Sequence, residues 1–171
     1  TKDESVFSLT ANGGLSFASP PDFEVPTDSY GVAGDNSYKL DIIATDSGGA
    51  QSTHALGVAV TNTNDNTPSI TSPLSLDVRS GVSGSVYTAS ASDADGDVVS
   101  FSLGTGKDEG LFSLTSNGAL SFDTSPDFSS PNDSYGVAGD NIYQLDIIAN
   151  DGVQSDTAEI SITVTQNSAP S

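Results

Sequence analysis

Three short strings hold most of the side chains in this sequence that could do chemistry. They are Pro21-Asp22-Phe23-Glu24, Asn62-Thr63-Asn64-Asp65-Asn66-Thr67-Pro68 and Asp93-Ala94-Asp95-Gly96-Asp97. They offer hard oxygen: carboxylates, side-chain amides, and backbone carbonyls left free between strands. Calcium takes about six to eight such donors and tolerates irregular geometry, so this inventory suits it, whereas magnesium demands a stricter octahedron. Zinc and iron favour nitrogen or sulfur, and the chain has no Cys and a single His54. The same shortage removes disulfides, thiol nucleophiles and His-based catalytic triads. Paired carboxylates could in principle hydrolyse a glycoside, but these lie in metal-type loops with no evident apolar pocket to raise one pKa, so an enzyme is the least favoured class. The third string also has the opening of a helix-loop-helix calcium hand. That reading fails, because no helix is expected on either side and the twelfth position is Gly104, not Glu.

Charge sharpens the choice of partner. Lys plus Arg number 4 against 23 Asp plus Glu in 171 residues, a net charge of −19. Such a surface repels phosphate backbones and anionic lipid, so nucleic acid and membrane docking are disfavoured and cations are the natural partners. No apolar run approaches the roughly 18 residues of a membrane span, and Thr1-Lys2-Asp3-Glu4 lacks the profile of a signal peptide. The chain is expected to be soluble, secreted or at the cell surface, with any export signal outside it.

The elements that must position these oxygens are strands. The acid is almost all Asp, which disfavours helix and favours turns, and 17 Gly and 8 Pro punctuate short Val/Ile/Phe/Tyr/Leu alternations. That pattern is all-β, a Greek-key immunoglobulin-like β-sandwich. The chain also repeats itself. Lys2–Asp46 falls on Lys107–Asp151 at an offset of about 105 residues with about 32 positions identical, and Asp28-Ser29-Tyr30-Gly31-Val32-Ala33-Gly34-Asp35-Asn36 recurs intact as Asp133–Asn141. Past Asp46 and Asp151 a small deletion shifts the match, so that Leu56, Val58 and Val60 meet Ile160, Ile162 and Val164.

Residues 67–171 form one complete repeat. Its predicted strands are 69–76, 85–92, 98–103, 111–115, 119–122, 142–149 and 159–165. Inward positions are Tyr87, Ala89, Ala91, Val99, Phe101, Leu103, Tyr143, Leu145, Ile147, Ile160, Ile162 and Val164. Residues 1–66 hold only the last four strands of the same unit. A partial sandwich exposes an apolar face and open edges. Either the chain is a fragment of a longer array, or another molecule supplies the strands, as in strand-exchanging filaments or dimers.

In order and spacing, seen twice, these strings resemble cadherin repeats, and more closely the bacterial cadherin-like domains of large surface and secreted proteins. Pro21-Asp22-Phe23-Glu24 is similar to the family's acidic Leu-Asp-Arg-Glu-type motif, and Tyr38–Asp46 to its strand ending in Ala-x-Asp. Asn62–Asn66 is similar to the Asp-x-Asn-Asp-Asn linker with Asn62 in place of the first Asp, and Asp93-Ala94-Asp95 to the Asp-x-Asp motif. The resemblance spans essentially the whole chain. It implies a cadherin-like sandwich with calcium at the junction of consecutive repeats. The implied ligands are Asp22, Glu24, Asn64, Asp65, Asn66, Asp93, Asp95 and Asp151, and the family's further early glutamate has no counterpart in the first copy. At the second junction Ser129 replaces Glu24, Arg79 stands at the early glutamate position with Asp127 or Asp151 as a charge to neutralise, and the linker is Gln166-Asn167-Ser168-Ala169-Pro170. That junction is expected to be weak or metal-free.

The duplicated Asp28–Asn36 loop has three readings: a second calcium site, a ligand-facing loop with Tyr30 and Tyr135 as sugar platforms, or a rigid structural loop with Tyr packed inward. For the whole chain the leading expectation is a non-catalytic, calcium-stiffened structural or cell-adhesion repeat whose partners are calcium and neighbouring repeats. A carbohydrate-binding module of a secreted polysaccharide-degrading or surface protein comes second, and self-association by strand exchange third.

Overall fold

The computed structural model describes residues 2–167. The chain forms two compact units, Thr1–Thr63 and Asn64–Ser171. In the first, β1 (Phe7–Leu9) pairs with β2 (Leu15–Phe17), and β3 (Ser37–Thr45) pairs with β4 (Gln51–Ala59), both antiparallel. In the second, the strands are β5 (Ser69–Ile70), β6 (Ser75–Arg79), β7 (Ser85–Thr88), β8 (Ala91–Ser92), β9 (Ser100–Leu103), β10 (Phe112–Leu114), β11 (Ala119–Phe122), β12 (Ile142–Asn150) and β13 (Ser155–Thr165). They build a four-stranded sheet ordered β6-β13-β12-β9, a three-stranded sheet ordered β10-β11-β7, and a short β5-β8 pair. All pairings are antiparallel except β6 with β13.

Alternation places the core between the two sheets. Tyr143, Leu145 and Ile147 of β12 and Ile160, Ile162 and Val164 of β13 point inward with at most 1% exposure, against Leu120, Phe112 and Tyr87 of the facing sheet. Period-two apolar residues on each strand leave this as the arrangement that buries both stripes at once. Phe112 and Phe122 lie 4.3 Å apart by ring centroid and both meet Tyr143 edge-on, which suits the ring quadrupoles. Phe7, Phe17 and Tyr38 repeat that cluster in the first unit.

The structure departs from the expected strands in several places, the last strand beginning at Ser155 rather than at 159. Segment 69–76 is two strands: Pro73 has no N–H to continue a ladder, and the Tyr87 hydroxyl reaches Ser72 Oγ (2.6 Å) and the Pro73 carbonyl (2.9 Å). Before the break the segment pairs with β8; after it, with β13. Segment 85–92 likewise divides at Ala89–Ser90, where the Ser90 carbonyl turns to accept from Thr71 and Ser72 N–H. The strand expected from 98 begins at Ser100, and Val98 is 89% exposed. Two single 3₁₀ turns, Glu4–Val6 and Glu109–Leu111, also stand where no helix was expected.

Each 3₁₀ turn follows a buried aspartate that the sequence reading overlooked. Asp108, 2% exposed, accepts from Ser134 N (2.8 Å), Tyr135 N (3.0 Å), Ser134 Oγ (3.2 Å) and Gln144 N (3.0 Å). Asp133, 4% exposed, accepts from Gly139, Asp140 and Asn141 N–H. Asp3 and Asp28 make the same bonds in the first unit. The duplicated loop is therefore fastened by two carboxylates whose oxygens are committed to backbone amides.

Burial alone would raise the Asp3 pKa, but the Lys39, Ser29 and Tyr30 amides favour the carboxylate and the net direction is downward. A depressed carboxylate contributes stability that is present above its unfolded pKa and is lost as pH falls through its folded one. The first unit should accordingly lose stability as pH drops below about 4, with the Tyr30 amide becoming exchange-exposed in an acid titration followed by NMR. Asp3→Asn should remove that acid-dependent part.

Candidate metal centre at the head of the second unit

Three strand ends meet at one end of the second unit: the segment entering β5, the exit of β8 and the exit of β12. The tripeptide Asn64-Asp65-Asn66 is held from both sides. Asn64 Nδ2 donates to the Asp151 carbonyl (3.3 Å). Asp95 Oδ2 accepts from Asp65 N (3.1 Å) and Asn66 N (2.8 Å), while Asp95 Oδ1 accepts from Asn66 Nδ2 (2.9 Å). Asp95 thus anchors the segment that leads into the unit.

The remaining oxygens share a pattern. Asp93 Oδ1 accepts from Asp97 N (3.1 Å), leaving Oδ2 buried without a hydrogen-bond partner. Asp151 Oδ1 accepts from Val153 and Gln154 N–H (both 2.7 Å), leaving Oδ2 in the same state. Asn64 Nδ2 is used as described, and Oδ1 is again buried and unpartnered. In each residue one polar atom fixes the side chain and the other has surrendered water with nothing in return. A buried acceptor left so costs about 1–3 kcal/mol, more if charged. Side-chain oxygens of Asp93, Asp95 and Asp97 also lie within 4.8 Å of one another. Like charges so close are tolerable when a cation shares them.

The Gln154 and Val153 amides lower the Asp151 pKa, with burial opposing and the Asn64 side chain assisting. Asp151 is therefore ionised at neutral pH. Asn64, Asp93 and Asp151 present buried oxygen only, and no nitrogen or sulfur ligand competes. The donor set fits a hard cation of calcium type.

The structure thus brings Asn64, Asp65, Asn66, Asp93, Asp95 and Asp151 to one strand-end cluster, and adds Asp97, which lay in the acidic string but outside the expected ligand set. Its signal was the one-residue spacing from Asp95. Asp22 and Glu24 belong to the first unit, where Asp22 Oδ1 caps a turn by accepting from Glu24 and Val25 N–H.

The other candidates fare differently. The Asp28–Asn36 loop and its copy are held by the buried carboxylates, and Tyr30 and Tyr135 do not pack inward: they are 42% and 39% exposed. The backbone amides of Tyr30 and Tyr135 are what Asp3 and Asp108 hold, which leaves the rings at the surface. Lys107 Nζ lies 5.6 Å from the Tyr135 ring centroid, placing a cation over one ring face. That lysine is also paired with Asp146 (2.6 Å) and Glu159, which raise its pKa in that order. Among the described residues Arg79 forms no ion pair with Asp127 or Asp151. The outgoing segment is tied instead by Asn167 Nδ2 donating to the Ser80 carbonyl (3.0 Å), and Ser168, Ala169 and Pro170 lie outside the described residues. His54 is exposed on β4 opposite Ile42, as a surface strand residue should be.

The fold is that of a cadherin-like β-sandwich. Solved structures of this kind match the chain along most of its length. Human protocadherin-24 EC1-2 aligns with a TM-score of 0.72 and 22% identity, covering 96% of this chain and 79% of that one. Drosophila N-cadherin EC1-4 aligns at 0.71 and 20% identity, covering 96% and 39%. Mouse cadherin-23 EC22-24 aligns at 0.68 and 18% identity, covering 96% and 51%. No family sequence model matches the chain, and neither does any curated protein.

Proposed function

We propose that this chain is a non-catalytic, calcium-binding cadherin-type repeat protein that works outside the cell as a structural or adhesive spacer. The observation that carries the proposal is the set of three buried side-chain oxygens, on Asn64, Asp93 and Asp151, that lack hydrogen-bond partners while the other polar atom of each residue is engaged. These residues would hold the ion, with Asp95, Asp65, Asn66 and Asp97 around them. Bound calcium would supply the counter-charge that the cluster lacks. Asp95 meanwhile clamps the Asn64–Asn66 segment, so the route into the second unit is stiff when the carboxylates are neutralised and loosens when they repel. The cadherin resemblance adds Asp22 and Glu24 as further donors; that part rests on the sequence, and Glu24→Gln tests it. Extracellular calcium is millimolar, and the weaker extracellular calcium modules have Kd values of about 10⁻⁴ to 10⁻³ M, so such a site would be filled there.

Thermal melts in chelator, magnesium and calcium test the reading. A rise in melting temperature is expected in calcium, much smaller in equal magnesium, and lost in Asn64→Ala. Equal melts in calcium and chelator would overturn it.

A further inference from the structure

Asn36 and Asn141, which close the duplicated loop, carry two costs at once. Among the described residues they are the two non-glycine positions with positive φ, at +61° and +67°, a region where asparagine is tolerated and glycine is free of strain. Each is only 9% exposed, and each leaves its Oδ1 buried without a hydrogen-bond partner. Glycine would avoid both costs. Strain of this kind persists where the surrounding structure makes use of the residue that bears it.

The use is the same in both units. Asn36 Nδ2 donates to the Phe23 carbonyl (2.9 Å), and Asn141 Nδ2 to the Phe128 carbonyl (3.2 Å). The backbone carbonyl of Asn36 accepts from Val60 N (3.0 Å), and that of Asn141 from Val164 N (2.9 Å). Their own N–H groups are held by Asp28 Oδ1 (3.0 Å) and Asp133 Oδ1 (3.1 Å). One residue therefore ties together a short acidic turn, the start of β3 or β12, and the outgoing end of the last strand of its unit.

In the first unit the tethered residue, Phe23, lies between Asp22 and Glu24, the two donors that the sequence resemblance adds to the calcium ligands. Asp22 Oδ1 accepts from Glu24 N (3.0 Å) and Val25 N (3.1 Å), so the turn is curled on Asp22 and Asn36 fastens it as a whole to the strand. In the second unit the same bond reaches Phe128, between Asp127 and Ser129, where one of the two carboxylates is missing.

We propose that Asn36 is a positioning residue for calcium: by fixing the Phe23 carbonyl to the base of β3 and to Val60, it presents Asp22 and Glu24 as one preset pair of donors. The inference rests on the calcium reading above. Donors that are already placed need no ordering when the ion arrives, and losing an orienting partner in the outer shell costs a metal site about 10- to 100-fold in affinity. Asn141 does the same structural work with no second carboxylate to aim.

The test is a calorimetric calcium titration of the full chain and of its Asn36→Gly, Asn141→Gly, Glu24→Gln and Asn36→Gly/Glu24→Gln variants. Glycine suits the positive φ and removes the orphaned Oδ1, so both glycine variants should fold, read as unchanged amide exchange at Tyr38 and Leu40 or at Tyr143 and Leu145. Asn36→Gly should raise the calcium Kd by about tenfold. Asn141→Gly should leave it unchanged, because the nine residues of β12 separate Asn141 from Asp151. Adding Asn36→Gly to Glu24→Gln should cost little more than Glu24→Gln alone, since Asn36 acts through that turn. In chelator the Glu24 and Val25 amides should exchange faster in Asn36→Gly than in the parent. An unchanged Kd in Asn36→Gly, equal losses in the two glycine variants, fully additive losses with Glu24→Gln, or unaltered Glu24 and Val25 exchange would overturn the proposal and leave the calcium reading standing. A parent chain that binds no calcium would overturn both.

Discussion

Asp93→Ala is expected to erase the stabilisation that calcium gives this chain. A ligand that binds only the folded state at about 100 times its Kd contributes about 2.7 kcal/mol, which for a unit of this size is a shift of roughly 10 °C or more in melting temperature. Asp93 Oδ2 is one of three oxygens of this cluster among the five buried side-chain oxygens without a partner in the described residues, and its other oxygen does no more than cap Asp97 N–H. The variant should therefore melt in calcium as it does in chelator. In chelator it should be no less stable than the parent, because a buried uncompensated charge has been removed from beside Asp95 and Asp97. A loss that is the same with and without calcium would show Asp93 to be structural only.

The second large effect concerns a residue with no part in metal binding. Asp108→Ala leaves three backbone N–H groups, of Ser134, Tyr135 and Gln144, without their acceptor. At about 1.5–3 kcal/mol for a hydrogen bond to a charged group, the second unit should lose about 3 kcal/mol or more, read as a fall in urea midpoint at unchanged slope. Asp108→Asn should fall between, since its amide oxygen can still accept while its NH₂ opposes a donor. A loss below about 1 kcal/mol would mean that water replaces the carboxylate without cost.

These two aspartates mark how much of the molecule its sequence discloses. The core was legible because period-two alternation is a direct consequence of strand geometry: Tyr143, Leu145, Ile147, Ile160 and Ile162 lie where the pattern puts them. The breaks in strands 69–76 and 85–92 were not, because alternation continues through Pro73 and Ser90 while the hydrogen-bonding partner changes, and only tertiary pairing records that change. Asn64, Asp65, Asn66, Asp93, Asp95 and Asp151 could be nominated because metal-type strings have characteristic composition. Their division into buried, unpartnered oxygens and anchoring ones could not, since it depends on which amide each carboxylate meets. Asp108 escaped notice for the opposite reason. Burying a carboxylate is unfavourable on its own, and the amides that make it favourable come from residues about 26 to 36 positions away.

On the proposed reading, Asn64, Asp93 and Asp151 hold calcium. A calorimetric titration of the full chain with calcium, repeated with magnesium, tests it most directly. Saturable calcium binding with a Kd at or below about 1 mM is expected, with weaker or no magnesium binding and loss of the calcium isotherm in Asp93→Ala. A flat calcium titration well past that concentration, or an isotherm that Asp93→Ala leaves intact, would contradict it.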